Sequence, residues 1–386
     1  MTLSQAQSNV LILTMGRDVH AAVIDLALRR LGVSSAIYSQ TAFLGKGDAS
    51  VAFNFDGACL SLNGWTGNLA EPLGTVWNRR RANHFLYPAS VHPADKSHLR
   101  ANAFAFLDGV GSLLDDARFC VNPSFAKGAA ASKLRQLRLA RAVGLAVPRT
   151  LVSNRYEEVT AFIRHVGRGC VKPFYVHGWK SDEGLYQSTT AIVEPGMELP
   201  RDSVELVPLI YQSYVEKQFE VRLSVFGGVA IGTKINSQSD AAGAIDWRNS
   251  FSYLDDLEPI DVPPRVVESS RALLRALGLR FGTFDFAVTP EGEWVFFEVN
   301  EAGQFLWQEE FCPDTKIIEP FARFLASAEE GFVWQGEGSE ELSYASLWRH
   351  LETTNEYDWL GHEPSATSEG SFLDETTAVD RPAVAT

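Results

Sequence analysis

The sequence predicts a mixed α/β protein, α+β in its C-terminal part, and three observations carry that prediction. Near the N-terminus, the apolar stretch Val10–Met15, the loop Gly16-Arg17-Asp18, the periodic run Val19–Leu31 and the stretch Ser35–Tyr38 read as strand, loop, helix and strand. This is the βαβ opening of an α/β domain. Near the other end, Phe281–Asn300 holds two apolar-alternating runs around Pro290-Glu291-Gly292-Glu293, the signature of an antiparallel hairpin. Between them, Leu209–Lys217, Glu220–Gly227 and Val229–Ile235 read as strands, the last two joined by the Gly227-Gly228 turn. With 386 residues, 45% of them hydrophobic, the chain can bury two or three cores.

The remaining elements follow in order. Gly16 stands alone, so the first loop is no dinucleotide-binding fingerprint. The first domain continues through Thr75–Arg81 and a helix near Ala94–Leu114. The cluster Trp77-Asn78-Arg79-Arg80-Arg81 admits an anion-binding or a structural reading, and the structural one is favoured. Asn122-Pro123 marks a boundary. Ser132 caps a helix over Lys133–Val143 that Gly144 stops. Val171-Lys172-Pro173 ends a short strand and leads into the loop Tyr175–Gly184. Pro263–Leu277 is an amphipathic helix ended by Gly278, and Ile317–Ala328 is a closing helix. Beyond Glu330 the composition turns to Gly, Ser, Thr and acids; Ser343–Leu351 is a candidate helix, and 361–386 is expected to be disordered. The expected division is 1–121, 122–208, 209–330 and an acidic, largely disordered tail, 331–386.

Composition excludes several classes. The net charge is −14, but residues 331–386 carry eleven acids and two arginines, leaving only −5 for the rest. No basic face is evident, so nucleic acid is not an expected partner. Cys59, Cys120, Cys170 and Cys312 are scattered without a C-x-x-C, which argues against a disulfide framework or a zinc site. No signal segment or membrane-length apolar run is visible, so a cytoplasmic protein with no membrane partner is expected. The eight histidines show no metal-binding spacing.

Chemistry concentrates in the hairpin. A two-residue loop at Glu291-Gly292 pairs Pro290 with Glu293 and, in the same register, Asp285 with Glu298. Directly paired residues share a face of the sheet, and Asn300, two further along, shares it too. Two facing carboxylates repel unless something neutralises them. A hard divalent cation does so, and Mg²⁺ is commonly held by one or two carboxylates together with nucleotide phosphates. An ordinary solvated strand face is the competing reading.

Read in order, the chain also offers Lys133, Lys172, the run Gln212-Ser213-Tyr214-Val215-Glu216-Lys217, Glu220-Val221-Arg222 and Asp246-Trp247-Arg248. Each is weak alone. The ordered set resembles the ATP-grasp superfamily of carboxylate–amine ligases, from about the first strand to the last domain helix. Asn122-Pro123, K-L-R-Q-L-x-x-A from Lys133, G-L-x-x-P-R-T-L from Gly144, Q-x-Y-V-E-K-x-F-E-V-R from Gln212, D-W-R at 246, L-G-L-R-F-G-x-x-D ending at Asp285 and E-V-N-x-x-G-Q-F-L-W from Glu298 sharpen it. They resemble the maturases of graspetides, the microviridin-type ligases that form side-chain esters or amides in ribosomally made peptides.

The resemblance implies an ATP-grasp fold with an N-terminal βαβ pre-ATP-grasp domain, a central lid domain and a C-terminal antiparallel-sheet nucleotide and metal domain. It implies ATP and Mg²⁺ as cofactors, a precursor peptide with a leader as partner, and leaves a homodimer open. Asp285, Glu298 and Asn300 would hold Mg²⁺; Lys133 and Lys172 would hold phosphates; Arg222 and Arg248 would grip the transferring phosphoryl group or acyl phosphate. Gln212, Tyr214, Val215 and Glu216 would form the hinge that reads adenine and ribose, with Lys217 competing with Glu216, and Glu220 acting as ligand or as aligner of Arg222. The Tyr175–Gly184 loop would close over the phosphates, although Gly178 and Gly184 are its only glycines. Gln304–Trp307 is expected to pack beneath the metal site. A relative that adds a free amino acid or amine to a carboxylate, and a nucleotide-binding protein without turnover, are the alternatives.

Pro320-Phe321-Ala322-Arg323-Phe324-Leu325 resembles the recognition motif of microviridin leader peptides, and residue types that such enzymes cross-link follow it in the tail. A leader and core fused in cis is one reading. The favoured reading makes Phe321, Phe324 and Leu325 the apolar face of the closing helix.

Overall fold

The computed structural model describes residues 10–357 apart from 41–43, 45–47, 55–56, 71–72, 82–84, 86, 175–177, 182–183, 188–189, 240–242, 244, 246, 248–253 and 355–356. Arg248, Asp246, most of the acidic tail and the tip residues of the Tyr175–Gly184 loop lie outside the described residues.

The N-terminal sheet is parallel, in the order Ser35–Ser39, Val10–Thr14, Thr75–Asn78, Phe119–Val121. Val10–Thr14 is buried along its whole length, as a central parallel strand covered on both faces must be. Val10 and Ile12 face the Val19–Arg30 and Ile318–Ser327 helices, whereas Leu11 and Leu13 face the Lys96–Asp115 helix. Asp18 caps the first helix by accepting a hydrogen bond from the His20 amide at 3.1 Å. An antiparallel meander, Ala49–Asn54, Gly57–Leu62 and Trp65–Asn68, closes the second core through Leu60 and Leu62. Its first strand is largely exposed and lacks a clean apolar alternation, so the sequence reading passed over it.

The central sheet is antiparallel, ordered Ala191–Val193, Gly169–Lys172, Leu209–Ser213, Thr150–Ser153. The Tyr156–Val166 helix packs on it through Val159 and Ile163. Leu209–Ser213, which the sequence placed at the head of the third segment, is hydrogen-bonded into this sheet on both sides. The chain crosses to the next sheet between Ser213 and Phe219. Gly178–Ser181 and Gly184–Gln187 pair as a separate hairpin.

The C-terminal sheet has five antiparallel strands: Glu258–Ile260, Val229–Ile235, Phe219–Phe226, Phe281–Val288 and Trp294–Asn300. Along Phe219–Phe226, Val221, Leu223 and Val225 join the core under the Pro264–Leu277 helix. Glu220, Arg222 and Ser224 alternate to the opposite face, so the period-two pattern separates an apolar from a polar side. The Pro264–Leu277 helix ends at Gly278 with φ +76°, a left-handed cap that glycine adopts without strain.

The Phe281–Asn300 hairpin departs from its expected loop. Thr289 donates to the Glu293 carbonyl at 3.0 Å and Gly292 to the Thr289 carbonyl at 2.9 Å, so the loop has three residues, Pro290-Glu291-Gly292. Pro290 has no N–H to close a two-residue loop, and Gly292 at φ +82° supplies the left-handed position that the longer turn needs. The register is then restored by a bulge. The ladder passes from Phe286↔Phe296 to Asp285↔Glu298, leaving Phe297 as the extra residue. The expected pairing of Asp285 with Glu298 therefore holds, by a different route.

Phe321, Phe324 and Leu325 are fully buried in the core shared with the N-terminal sheet, as the packing reading of that motif expected. The chain then continues into structure: Ser343 caps a helix at Tyr344–Thr353 that packs on Val19–Arg30, with Leu342 and Leu347 in the same core. The Glu309 carboxylate accepts from the amides of Ile317, Ile318 and Tyr344 at 2.9–3.0 Å, tying both C-terminal helices together. Tyr357 donates to Asp25 at 2.5 Å and accepts from Arg29. Residues 331–354 and Tyr357 are thus part of the packed domain rather than of a disordered tail. Leu347→Ala should lower the unfolding free energy by about 2–5 kcal/mol in denaturant titration, whereas a loosely attached helix would give less than about 0.5 kcal/mol.

Candidate active site

The polar face of the C-terminal sheet carries a row of four charges. Arg222, Asp285 and Glu298 sit directly opposite one another on three successive strands. Arg222 Nη1 donates to Asp285 Oδ1 at 2.7 Å, and Lys133 Nζ lies 3.4 Å from Glu298 Oε2. Lys133 is the first residue of the Lys133–Ala142 helix, which Ser132 caps as expected through the Arg135 amide. The two carboxylates are therefore flanked by one cation on each side, and their mutual repulsion is offset. Arg222 also donates to the Gln304 carbonyl at 3.2 Å, so it is held in a fixed fork.

A cavity between the central and C-terminal sheets collects Lys133, Lys172, Gln212, Glu220, Asp285, Phe297 and Glu298. An adjoining cavity collects Tyr214, Val215 and Lys217 along with Gln212 and Lys172. Sequence positions spread over 166 residues thus meet in one cleft. The bulge explains one wall of it: the extra residue lets Phe297 and Glu298 both face the cleft instead of alternating. The Lys172 ammonium sits 4.7 Å from the centre of the Phe297 ring, a cation–π contact that joins the two sheets.

Three predicted residues, Glu216, Arg222 and Asn300, do not line either cavity. Glu216 is mostly exposed and pairs with Arg168 at 3.4 Å, outside the residues that line the two cavities. Lys217, in contrast, is buried and contacts Glu220 at 2.7 Å. Of the acids near the hinge, Glu220 is the one that lines the cleft. Arg222 reaches the cleft only through Asp285. Asn300 pairs with Thr283, and its Oδ1 accepts from the amides of Ala302 and Gly303 at 3.0 Å, which folds the loop after the metal strand.

The donor set suits a hard cation. Among the described residues no group of three His, Cys, Asp or Glu converges. Asn300, two residues from Glu298, carries a carboxamide whose Oδ1 already accepts from the amides of Ala302 and Gly303. Lys133 and Lys172 on the same cleft suit the phosphates such a cation would accompany.

Sequence reasoning missed several supporting residues. Asn122, fully buried, donates to the carbonyls of Phe281 and Glu301 at 2.8 and 2.6 Å and accepts from the amides of Arg280 and Phe281 at 3.0 and 3.1 Å. It ties the N-terminal sheet to the first strand of the Phe281–Asn300 hairpin and to the residue that follows the second. Arg79 is 1% exposed, donates to the Ala302 carbonyl at 2.9 Å and lies 3.4 Å from Asp18, so this member of the basic cluster is structural. Burial opposes ionisation of Asp18, but Arg79, His20 and Arg80 prevail and hold its carboxyl below the usual value. His20 Nε2 accepts from the amides of Phe305 and Leu306 at 3.1 and 3.3 Å. Burial, then Arg79, push its pKa well down, which keeps that nitrogen an acceptor. Gln304–Trp307 is thus packed and hydrogen-bonded beside the charge row, as expected.

No protein-family model and no curated protein matches the sequence. Solved structures do match. A RiPP-associated ATP-grasp ligase from Chryseobacterium gregarium, in complex with ADP and a leader and core peptide, superimposes with a TM-score of 0.77 at 23% identity, covering 83% of this chain and 97% of that one. The macrocyclase MdnC from Microcystis aeruginosa, bound with the precursor peptide MdnA, gives 0.70 at 23% identity over 82% and 99%. The macrocyclase MdnB from the same organism gives 0.65 at 25% identity over 82% and 98%. The chain therefore has the fold of ATP-grasp ligases. Among the described residues no helix is long and apolar enough to cross a membrane.

Lys127 offers a direct test of the junction between the sheets. Its Nζ donates to the carbonyls of Asn78 and Arg79 at 3.0 Å, and burial lowers its pKa to about 8. The unfolded chain keeps this proton to about pH 10.4. Between those values the unfolded state binds more protons, so stability rises with pH. Relative to Lys127→Met, the wild-type protein should gain unfolding free energy from about pH 8 upward, by at most about 1.4 kcal/mol per pH unit. A pH-independent difference in calorimetry would contradict this burial.

Proposed function

We propose that this protein is an ATP-dependent, ADP-forming ligase that cross-links side chains of a ribosomally made precursor peptide, forming esters or amides. The observation that carries the reading is the Arg222–Asp285–Glu298–Lys133 row, three members of which line a cleft together with Lys172, Gln212 and Glu220. Fold similarity to ligases bound with ADP and with leader, core or precursor peptides supports the substrate class.

The chemistry follows from the residues. A carboxylate does not condense with a hydroxyl or amine in water, because its oxygen leaves poorly. In the proposed reaction a peptide Asp or Glu carboxylate attacks the γ-phosphorus of ATP and ADP departs. A Ser or Thr hydroxyl, or a Lys amine, then attacks the acyl carbon; phosphate leaves and the attacking group loses its proton. Asp285, Glu298 and Asn300 would hold Mg²⁺, which neutralises phosphate charge when bound. Lys133 and Lys172 hold phosphate oxygens as point charges. Arg222, fixed between Asp285 and the Gln304 carbonyl, holds the Asp285 carboxylate toward the cleft, and Arg248 is assigned the grip on the transferring group. The hinge 214–218 offers backbone groups to adenine, and Glu220, rather than the exposed Glu216, faces the ribose hydroxyls. Residues 122–213 act as the lid and 219–330 as the nucleotide and metal domain. The Gly178–Ser181 and Gly184–Gln187 hairpin closes over the phosphates and keeps water from the acyl phosphate.

The test is the intact mass of a small Ser/Thr/Asp/Glu-rich peptide encoded beside the gene, incubated with protein, ATP and Mg²⁺. Loss of one water per bond is expected, with Glu298→Ala abolishing it and Arg222→Lys lowering kcat about a hundredfold or more. A gain in mass would replace the reading with an amino-acid-adding ligase. ATP binding without ADP release across such peptides would remove the enzymatic reading.

A further inference from the structure

Gln136 is the second-turn residue of the Lys133–Ala142 helix, and it is 4% exposed. Its carboxamide is fully engaged. Oε1 accepts from the Val299 amide at 2.9 Å, and Nε2 donates to the Val299 carbonyl at 2.8 Å and to the Ala130 carbonyl at 2.8 Å. Val299 is the residue between Glu298 and Asn300. Trp294–Asn300 is the edge strand of its sheet, so the backbone groups of Val299 that point outward have no neighbouring strand. Leu145-Ala146 covers the same edge one step earlier, where Phe296 donates to the Ala146 carbonyl at 2.8 Å. Past the bulge at Phe297, Gln136 takes over and presents one acceptor and one donor, as an added strand would.

From this we infer that Gln136 is a positioning residue for the divalent-cation site. It clamps the backbone between two of the oxygen donors, Glu298 and Asn300, and it does so from the same helix that brings Lys133 to Glu298. A strand edge next to a bulge is locally unpaired and free to shift register. The carboxamide removes that freedom at the residue where a shift would turn Glu298 away from Asp285. Buried amides are costly to leave unpaired, so the three bonds act as one unit. No charge is involved, which keeps the clamp from competing for the cation. This inference rests on the proposed metal site at Asp285, Glu298 and Asn300.

The experiment measures equilibrium binding of a non-hydrolysable ATP analogue by calorimetry while Mg²⁺ is titrated, on full-length wild type, Gln136→Met, Gln136→Glu and Glu298→Gln. Gln136→Met, of similar volume and unable to donate or accept at that depth, should raise the Mg²⁺ concentration for half-maximal effect about tenfold or more. Binding of the analogue without Mg²⁺ should stay within about twofold of wild type, since the clamp touches no nucleotide-facing group. Glu298→Gln should raise the Mg²⁺ requirement at least as far. For Gln136→Glu, a protonated carboxyl regains one donor, so the deficit relative to wild type should shrink as pH falls from about 8 to about 6, toward the range where a buried carboxyl takes up a proton. A wild-type Mg²⁺ requirement in Gln136→Met, beside a raised one in Glu298→Gln, would overturn the positioning role and leave the metal site intact. An unchanged requirement in Glu298→Gln would overturn the metal site and the inference with it. Should Gln136→Met fail to fold, the Gln136→Glu pH series decides alone: a deficit that does not vary with pH overturns the role.

Discussion

The structure depends on keeping two carboxylates side by side. Asp285 and Glu298 face each other across two strands, where the repulsion of two charges about 5 Å apart is on the order of 3 kcal/mol at an effective dielectric constant of 20. Arg222 from one flank and Lys133 from the other offset it. Each cation is brought by a different element: Arg222 by the neighbouring strand, Lys133 by the start of a capped helix. The site exists only where strand register, bulge and helix placement agree, which is why so much of the surrounding packing is devoted to the Phe281–Asn300 hairpin.

That devotion is visible in the buried polar side chains. Asn122 bonds the hairpin at Phe281 and Glu301, Gln136 at Val299, and Arg79 at Ala302. His20 does the same at Phe305 and Leu306. All four come from outside the C-terminal sheet. A hairpin edge and the loop after it carry unpaired backbone groups that would be costly to bury, and these side chains satisfy them. The N-terminal sheet thus contributes to the candidate site chiefly by fixing the loop that follows Trp294–Asn300. The central sheet contributes Lys172 and the hinge, and its contact with Phe297 bridges the cleft.

The C-terminal segment shows how composition can mislead. Residues 331–386 hold most of the net negative charge, and by composition the whole stretch resembles a solvated tail. Yet Leu342, Leu347 and Tyr357 are buried against the first helix. A few apolar residues at the right spacing, together with one carboxylate that caps two helices, suffice to dock a polar segment. The leader-like motif at Pro320–Leu325 is a parallel case. Its phenylalanines fill the shared core, because an amphipathic helix buries the same residues whether it binds a partner or its own domain.

The sequence by itself determined the βαβ opening, four of the five strands of the C-terminal sheet and the caps at Ser132 and Gly278, and it named Asp285 and Glu298 as a pair. Those depend on local periodicity and turn chemistry, which a single sequence records. It also indicated that Lys133, Lys172, Gln212 and Glu220 belong with that pair, through spacing that resembles ATP-grasp ligases. Only the tertiary structure decided that the hairpin loop has three residues and that a bulge at Phe297 corrects its register, since a bulge leaves the strand pattern on either side intact. Only it left Glu216 outside the cleft that Glu220 lines: both are acids near the hinge, and burial, not identity, separates them. The meander at 49–68 and the clamps Asn122 and Gln136 were equally out of reach. The two clamps act through contacts made more than a hundred residues away, and no local pattern encodes a partner at that distance.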